Sequence, residues 1–265
     1  MSQPLLSRAA WLATAVLLAS GPGALAQTAP AASSWIEAGG AYHRVTNHFG
    51  DWKGGYVRAV LAGTRNTWYV DAKTQEAFRD AGSYGSVANV HTWSSRVYTQ
   101  IGAGAGTGRY VLPDLRLDAA VSFKLGASRA VVVTAGGTVV KSKSVYQDKA
   151  LFGSLTWYLA PAVVAEVGGR LNWSNPNAVR SERVNATLSH GRAGHALVTL
   201  RGSVGTEGYQ LTGAGTTLRR FRSQEAGLII RKWLGHSWGG VLGTEWYHNP
   251  FYARTGGSAG VFYAW

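Results

Sequence analysis

The sequence predicts an all-β protein, a transmembrane antiparallel up-and-down β-barrel of about 14 strands, with 12 as the alternative. Three features point there. The chain opens on an export leader, and its body is rich in Gly, Trp and Tyr but poor in charge. That body also breaks into short segments in which apolar residues alternate with small or polar ones, up to an aromatic at the C-terminus.

Met1 to Ala26 reads as a secretory signal peptide. It has one positive charge at Arg8, an apolar run from Ala9 to Ala19, a Gly21-Pro22-Gly23 break and Ala24-Leu25-Ala26 before Gln27. The apolar run falls short of the roughly 20 residues that a spanning helix requires. Cleavage after Ala26 is expected, with delivery to the outer membrane of a Gram-negative cell. Residues 27–34 (QTAPAASS) are Ala-, Ser- and Pro-rich and read as a flexible periplasmic leader. Residues 35–265 form the barrel.

Composition narrows the function classes. With no cysteine, the chain has no disulfide framework, thiolate metal site or thiol nucleophile. Charged residues make up only 15%, beside 35 Gly, 11 Trp and 12 Tyr, and no long apolar run follows the leader, which excludes a helical membrane protein. A barrel has a use for such aromatics, as girdles where its wall meets the headgroups. The net charge of +13 would suit nucleic acid, but an exported chain does not meet it. The expected partners are outer-membrane lipid and lipopolysaccharide, the barrel-assembly machinery and an anionic or neutral polysaccharide, with the protein a monomer and without a cofactor.

From Trp35 onward, short turns alternate with longer gaps. The short turns are Arg65-Asn66, Ser94-Ser95, Gly126-Ala127-Ser128, Ala160-Pro161, Arg192-Ala193-Gly194 and Gly235-His236-Ser237. The longer gaps lie near 47–52, 79–85, 107–113, 141–148, 174–181, 206–219 and 248–254. Short periplasmic turns and longer extracellular loops are the outer-membrane pattern. Alternation is clearest where Leu115, Leu117, Ala119, Val121, Phe123 and Leu125 oppose Arg116, Asp118, Ala120, Ser122 and Lys124. A soluble β-sandwich would alternate too, but its core face would carry bulkier aliphatics than these Gly- and Ala-rich strands supply. The last segment, TGGSAGVFYAW, puts Ala259, Val261, Tyr263 and Trp265 on one face and Gly256, Ser258, Gly260 and Ala264 on the other, with Phe262 the large exception. Val261, Tyr263 and Trp265 are thus the lipid face of the strand that closes the barrel.

A family resemblance rests on the opening Trp35 strand with Tyr42, LPDLRLD at 112–118, RKWLGHSWGG at 231–240, and a close containing Tyr247, Tyr252-Ala253-Arg254 and a terminal aromatic. Together these resemble the YaiO-like outer-membrane β-barrel family, which is similar in turn to the barrels that end exopolysaccharide-secretion proteins. The resemblance implies a barrel more than any substrate. A conduit or accessory in surface polysaccharide export is the function it implies; a closed barrel that interacts with lipopolysaccharide and a lipid-modifying enzyme are the alternatives.

Alternation assigns Glu37, Arg58, Asp71, Lys73, Arg116, Asp118, Lys124, Glu166, Arg170, Arg183, Arg201, Glu225, Arg231 and Glu245 to the lumen. An anion channel would show one dominant sign along its path. This near-balance suggests cross-strand pairing in a narrow, salt-bridged lumen, since fourteen strands fall below the roughly 16–18 of open porins. Other bases, among them Lys53, Arg79, Arg109, Lys141, Lys149, Arg180 and Arg254, fall to the loop side. There Arg219, Arg220 and Arg222 form an outer-rim cluster suited to phosphate. Trp52, Trp68, Trp93, Trp157, Trp173, Trp233, Trp238, Trp246 and Trp265 read as girdle residues, or alternatively as platforms for sugar rings. Gly102, Gly104 and Gly106 precede no helix, so they are read as curvature or close packing in the wall. No catalytic or metal-ligating motif stands out among the seven histidines. Ser94 or Ser189 with His91 or His190 is the pairing a hydrolase would use.

Overall fold

Period-2 alternation lets one face of a strand meet lipid while the other faces a lumen. The computed structural model describes residues 34–109, 111–143, 145–210 and 218–265, and in them this pattern builds fourteen strands. They are β1 (Trp35–Val45), β2 (Trp52–Ala62), β3 (Asn66–Ala77), β4 (Asp80–Thr92), β5 (Val97–Gly106), β6 (Leu115–Leu125), β7 (Val131–Lys141), β8 (Gln147–Ala160), β9 (Val163–Asn175), β10 (Val179–Arg192), β11 (Ala196–Gln210), β12 (Leu218–Trp233), β13 (Trp238–His248) and β14 (Ala253–Ala264). Each pairs antiparallel with its sequence neighbours, and β1 pairs with β14 from Trp35↔Ala264 to Val45↔Arg254, so the barrel is closed. Closure matters because an unpaired edge has no water to satisfy it inside a bilayer. The signal peptide expected at 1–26 and the leader expected at 27–34, apart from Ser34, lie outside the described residues.

Both ends of the described chain meet at the end of the barrel that carries the short turns. Ser34 accepts there from the Trp265 amide at 2.9 Å through its carbonyl, and from the Ala62 amide at 3.0 Å through its hydroxyl. The opposite end is the loop end. Two of its expected loops are in fact tight hairpins. β3 and β4 run to Ala77 and Asp80, leaving only Phe78 and Arg79, both at positive φ, to turn the chain. β9 and β10 likewise continue to Asn175 and Val179. The Ala-Gly-Ser and Ser-Glu-Arg residues that look like loop in the sequence are strand, because pairing with neighbours overrides weak local preference.

The outward face is aliphatic and aromatic, with Ile101, Leu151, Val167, Leu200, Leu242 and Val261 among its exposed side chains. Trp68, Trp157, Trp238, Trp246 and Trp265 are exposed near the strand ends, where girdles sit. Trp52 and Trp233 correct the girdle expectation. Trp52 is buried inside the barrel mouth, and Trp233 packs edge-on against the inward Phe262 at 4.8 Å. Both fall on the lumen parity of their strands. At Gly104 the wall has no room for a side chain, since a Cβ there would collide with the Tyr84 hydroxyl inside the lumen.

Candidate functional site

The site is the lumen, which has three parts. All fourteen charged residues that alternation assigns to it occupy inward positions of their strands. Four more inward charges come from strand ends that look like loop in the sequence: Asp80, Asp148, Glu207 and Arg254. Adding Arg254 to the eight bases and the other three to the six acids gives nine of each.

The first part is an ion-pair ladder along β10 to β14. Arg183 donates to Glu207 at 2.5 Å and to Glu225 at 3.1 Å. Arg201 bridges Glu225 at 3.7 Å and Glu245 at 2.6 Å, and Glu245 then accepts from Arg254. Six alternating charges are thereby linked across five strands. A separate pair joins Arg231 to Glu37 across the seam between the two ends of the barrel wall. Arg254 was expected at the rim; its side chain is instead 1% exposed, held between Glu245 and the faces of Trp52 and Tyr247 at 4.1 and 5.2 Å. Its strand begins at Ala253, one residue earlier, so it already has an inward parity.

The second part is an aromatic cluster at the loop end. Val45, Trp52, Ala77, Phe78, Val111, Tyr247 and Tyr252 form one buried cluster, with Phe49 and Phe251 packed on it. Phe78 is its hub, edge-on to Trp52 at 5.0 Å, Tyr252 at 5.5 Å and Phe49 at 6.1 Å. Two carboxamide or carboxylate side chains fold the loops inward to make it. Asn249 accepts from the amides of Phe251 at 2.8 Å and Tyr252 at 2.9 Å, turning Tyr252 into the barrel. Asp80 accepts from the amides of Arg109 at 3.0 Å and Val111 at 2.9 Å, which draws the β5–β6 loop over the mouth. The Tyr252 phenol is pushed upward by burial. At the outer margin, Asp51 accepts from the Tyr42 hydroxyl and from the Val45 amide, and these bonds hold its carboxyl below the usual range. Glu207 ties plug to ladder, accepting from Tyr247 at 3.3 Å and Ser223 at 2.5 Å as well as from Arg183.

The third part is a cavity of ≈ 320 Å³ on the β2–β10 side. Rings of Trp35, Tyr69, Tyr84, Tyr98 and Phe152 line it, as do the polar groups of Ser86, Gln100, Ser122, Thr134, Ser154 and Asn185. Its charges are Arg58, Lys73, Arg116, Arg170 and Arg183 against Asp71, Asp118 and Glu166. Arg58 pairs with Asp71 at 2.9 Å and Arg116 with Asp118 at 2.6 Å. Glu166 takes a hydroxyl from Thr156 at 2.8 Å instead of a base. Lys124 lies over the Tyr98 ring at 5.6 Å.

The remaining sequence candidates are placed as follows. Arg220 and Arg222 sit exposed on the outward parity of β12 near the loop end, and Arg219 lies in the same strand opposite Tyr209. Arg220 shares Glu182 with Arg180, so the cluster carries its own acid. Val261, Tyr263 and Trp265 are exposed on the outer wall. Ser189 faces inward and bonds Thr199 at 3.0 Å, whereas His190, the next residue, points the other way. The Ser94 hydroxyl accepts from the Arg96 and Val97 amides in its turn, and His91 bonds Asn66 at 2.9 Å. Neither serine is joined to its histidine. Among the described residues no cluster of His, Asp and Glu could hold a metal ion.

A closed fourteen-strand wall, apolar outside and ionic inside, is that of an outer-membrane β-barrel. The chain belongs to the YaiO membrane beta barrel family, whose domain matches residues 34–210. No curated protein matches it. Among solved structures, the CymD monoaromatic hydrocarbon channel is similar in fold (TM-score 0.61, 7% identity, covering 98% of this chain and 95% of that one). So are the COG4313 outer membrane channel from Pseudomonas putida F1 (TM-score 0.52, 8% identity, 89% and 97% covered) and a bacterial polysaccharide outer membrane secretin (TM-score 0.53, 6% identity, 89% and 100% covered). Family and fold together place the protein in the outer membrane.

Proposed function

We propose that this barrel is a gated conduit, or an accessory to one, in the export of a surface polysaccharide. The observation that carries the reading is the lining of the cavity, where five aromatic rings alternate with hydroxyl and amide side chains. A pyranose has apolar C–H faces and a rim of hydroxyls, so rings that stack and polar groups that exchange hydrogen bonds are what it needs from a wall. A monoaromatic or lipid cargo would favour a lining with fewer charges. The aromatic cluster at the loop end is the gate in this reading, and the ion ladder is the rigid frame it closes against.

In a strain lacking the protein, polymer should accumulate in the periplasm while surface polymer falls, and the unmodified gene should restore both. Normal surface polysaccharide in the deletion strain, across conditions in which the wild type makes it, would end the export reading.

A further inference from the structure

The cavity has an excess of bases, five against three acids, whereas the other inward charges are four bases against six acids. Of its five bases, Arg58 and Arg116 each have a carboxylate at ion-pair distance inside the cavity. Arg183 turns to Glu207 and Glu225 of the ladder. Lys73 and Arg170 have no carboxylate within 4.0 Å among the described residues. Asp71 acts on Lys73, and Asp118 and Asp148 act on Arg170, only from beyond that distance. The one carboxylate of the cavity that has no base, Glu166, is bonded to Thr156. Both cations are half-buried, and the Lys73 ammonium stands 5.4 Å over the Tyr84 ring. A cation without a paired carboxylate in a confined, partly desolvated space is costly, so Lys73 on β3 and Arg170 on β9 are each a place for an anionic group of a ligand.

We infer that this cavity binds an acidic saccharide, one anionic group met by Lys73 of β3 and another by Arg170 of β9, with its rings against the tyrosine-lined wall of β3 to β5. This rests on the glycan reading of the lumen and narrows it to sugars that carry a carboxylate or a phosphate. Arg170 can donate to either group in bidentate fashion, and Lys73 is a movable point charge on the other wall. Tyr69, Tyr84 and Tyr98, on consecutive strands, supply the stacking surface.

The test uses the purified full barrel in detergent and calorimetric titration with three probes: a glucuronic acid tetrasaccharide, the glucose tetrasaccharide, and glucose 6-phosphate. The uronate should bind at least about tenfold tighter than the neutral chain, as charge-assisted hydrogen bonds imply, and lose affinity as salt rises. Lys73→Gln and Arg170→Gln should each remove most of that preference while leaving neutral-sugar binding in place. Lys149→Gln, which removes one exposed outward charge, should change nothing. Phosphosugar binding above uronate would assign the anion to phosphate within the same site. Equal binding of acidic and neutral chains would overturn the inference and leave the glycan reading standing. Absence of binding to any sugar would overturn both. Because the comparison of probes needs only the unmodified protein, a variant that failed to fold would not decide the matter.

Discussion

Glu245 holds two arginines at once, Arg201 at 2.6 Å and the almost wholly buried Arg254. Among the described residues Arg254 Nε and Nη1 have no hydrogen-bond partner, so this one carboxylate and two aromatic faces are its compensation. Glu245→Gln strips the charge from that contact and leaves a buried guanidinium uncompensated, which costs about 3–5 kcal/mol. The folded, heat-modifiable form should therefore melt at a clearly lower temperature. Glu245→Gln combined with Arg254→Gln should recover part of the loss, since no buried charge is then left alone. An unchanged melting temperature for Glu245→Gln would mean that the ladder is not a structural frame. At this scale the sequence says which face a side chain takes, because parity is local. It does not say which charges meet: Arg231 and Glu37 are 194 residues apart, and only closure of the barrel brings them together. Arg254 departs from its expected place for a simpler reason, since β14 starts at Ala253, directly after a loop-like Asn-Pro-Phe-Tyr run.

β14 is the element on which closure depends. It pairs with β13 on one side and β1 on the other, and Tyr263 and Trp265 stack at 6.1 Å on its outer face. Deleting Tyr263 to Trp265 removes the pairs Trp35↔Ala264, Ile36↔Tyr263 and Trp238↔Tyr263, and exposes backbone groups that a bilayer cannot satisfy. The truncated chain should collect unfolded in the periplasm, with little heat-modifiable protein in the outer membrane. Wild-type amounts of folded barrel would show that this strand is dispensable for closure. Strand number was readable because the segments alternate and five of the six short-turn breaks contain Gly, Pro or Ser, Arg65-Asn66 being the exception. Loop lengths were not readable at Phe78-Arg79 and at 176–178, where the neighbouring residues suggest a loop but the paired strands continue almost to the turn.

Across the whole molecule, the proposed gated conduit has its barrier to passage in the aromatic cluster and not in the ion pairs. The ladder lines one side of the lumen and leaves a cavity of ≈ 320 Å³ beside it, whereas the cluster reaches from β1 and β2 to the β13–β14 loop at the loop end. No sequence pattern marks this, because Trp52, Phe78 and Tyr252 come from three separate loop ends, and in single-strand terms each resembles a girdle or turn residue. The expected behaviour follows from geometry. In a planar bilayer the unmodified barrel should pass little steady current, since an apolar constriction excludes water and ions. Trp52→Ala with Phe78→Ala removes the hub of the cluster and should open long-lived conductance, without much loss of folded protein because the wall hydrogen bonds remain. Breaking the ladder by Glu225→Gln should lower thermal stability but leave the current near its unmodified level while the plug holds. Large stable openings in the unmodified protein would remove the gate from its role. Conductance gained by Glu225→Gln and not by the double aromatic variant would move the barrier from the mouth to the ladder.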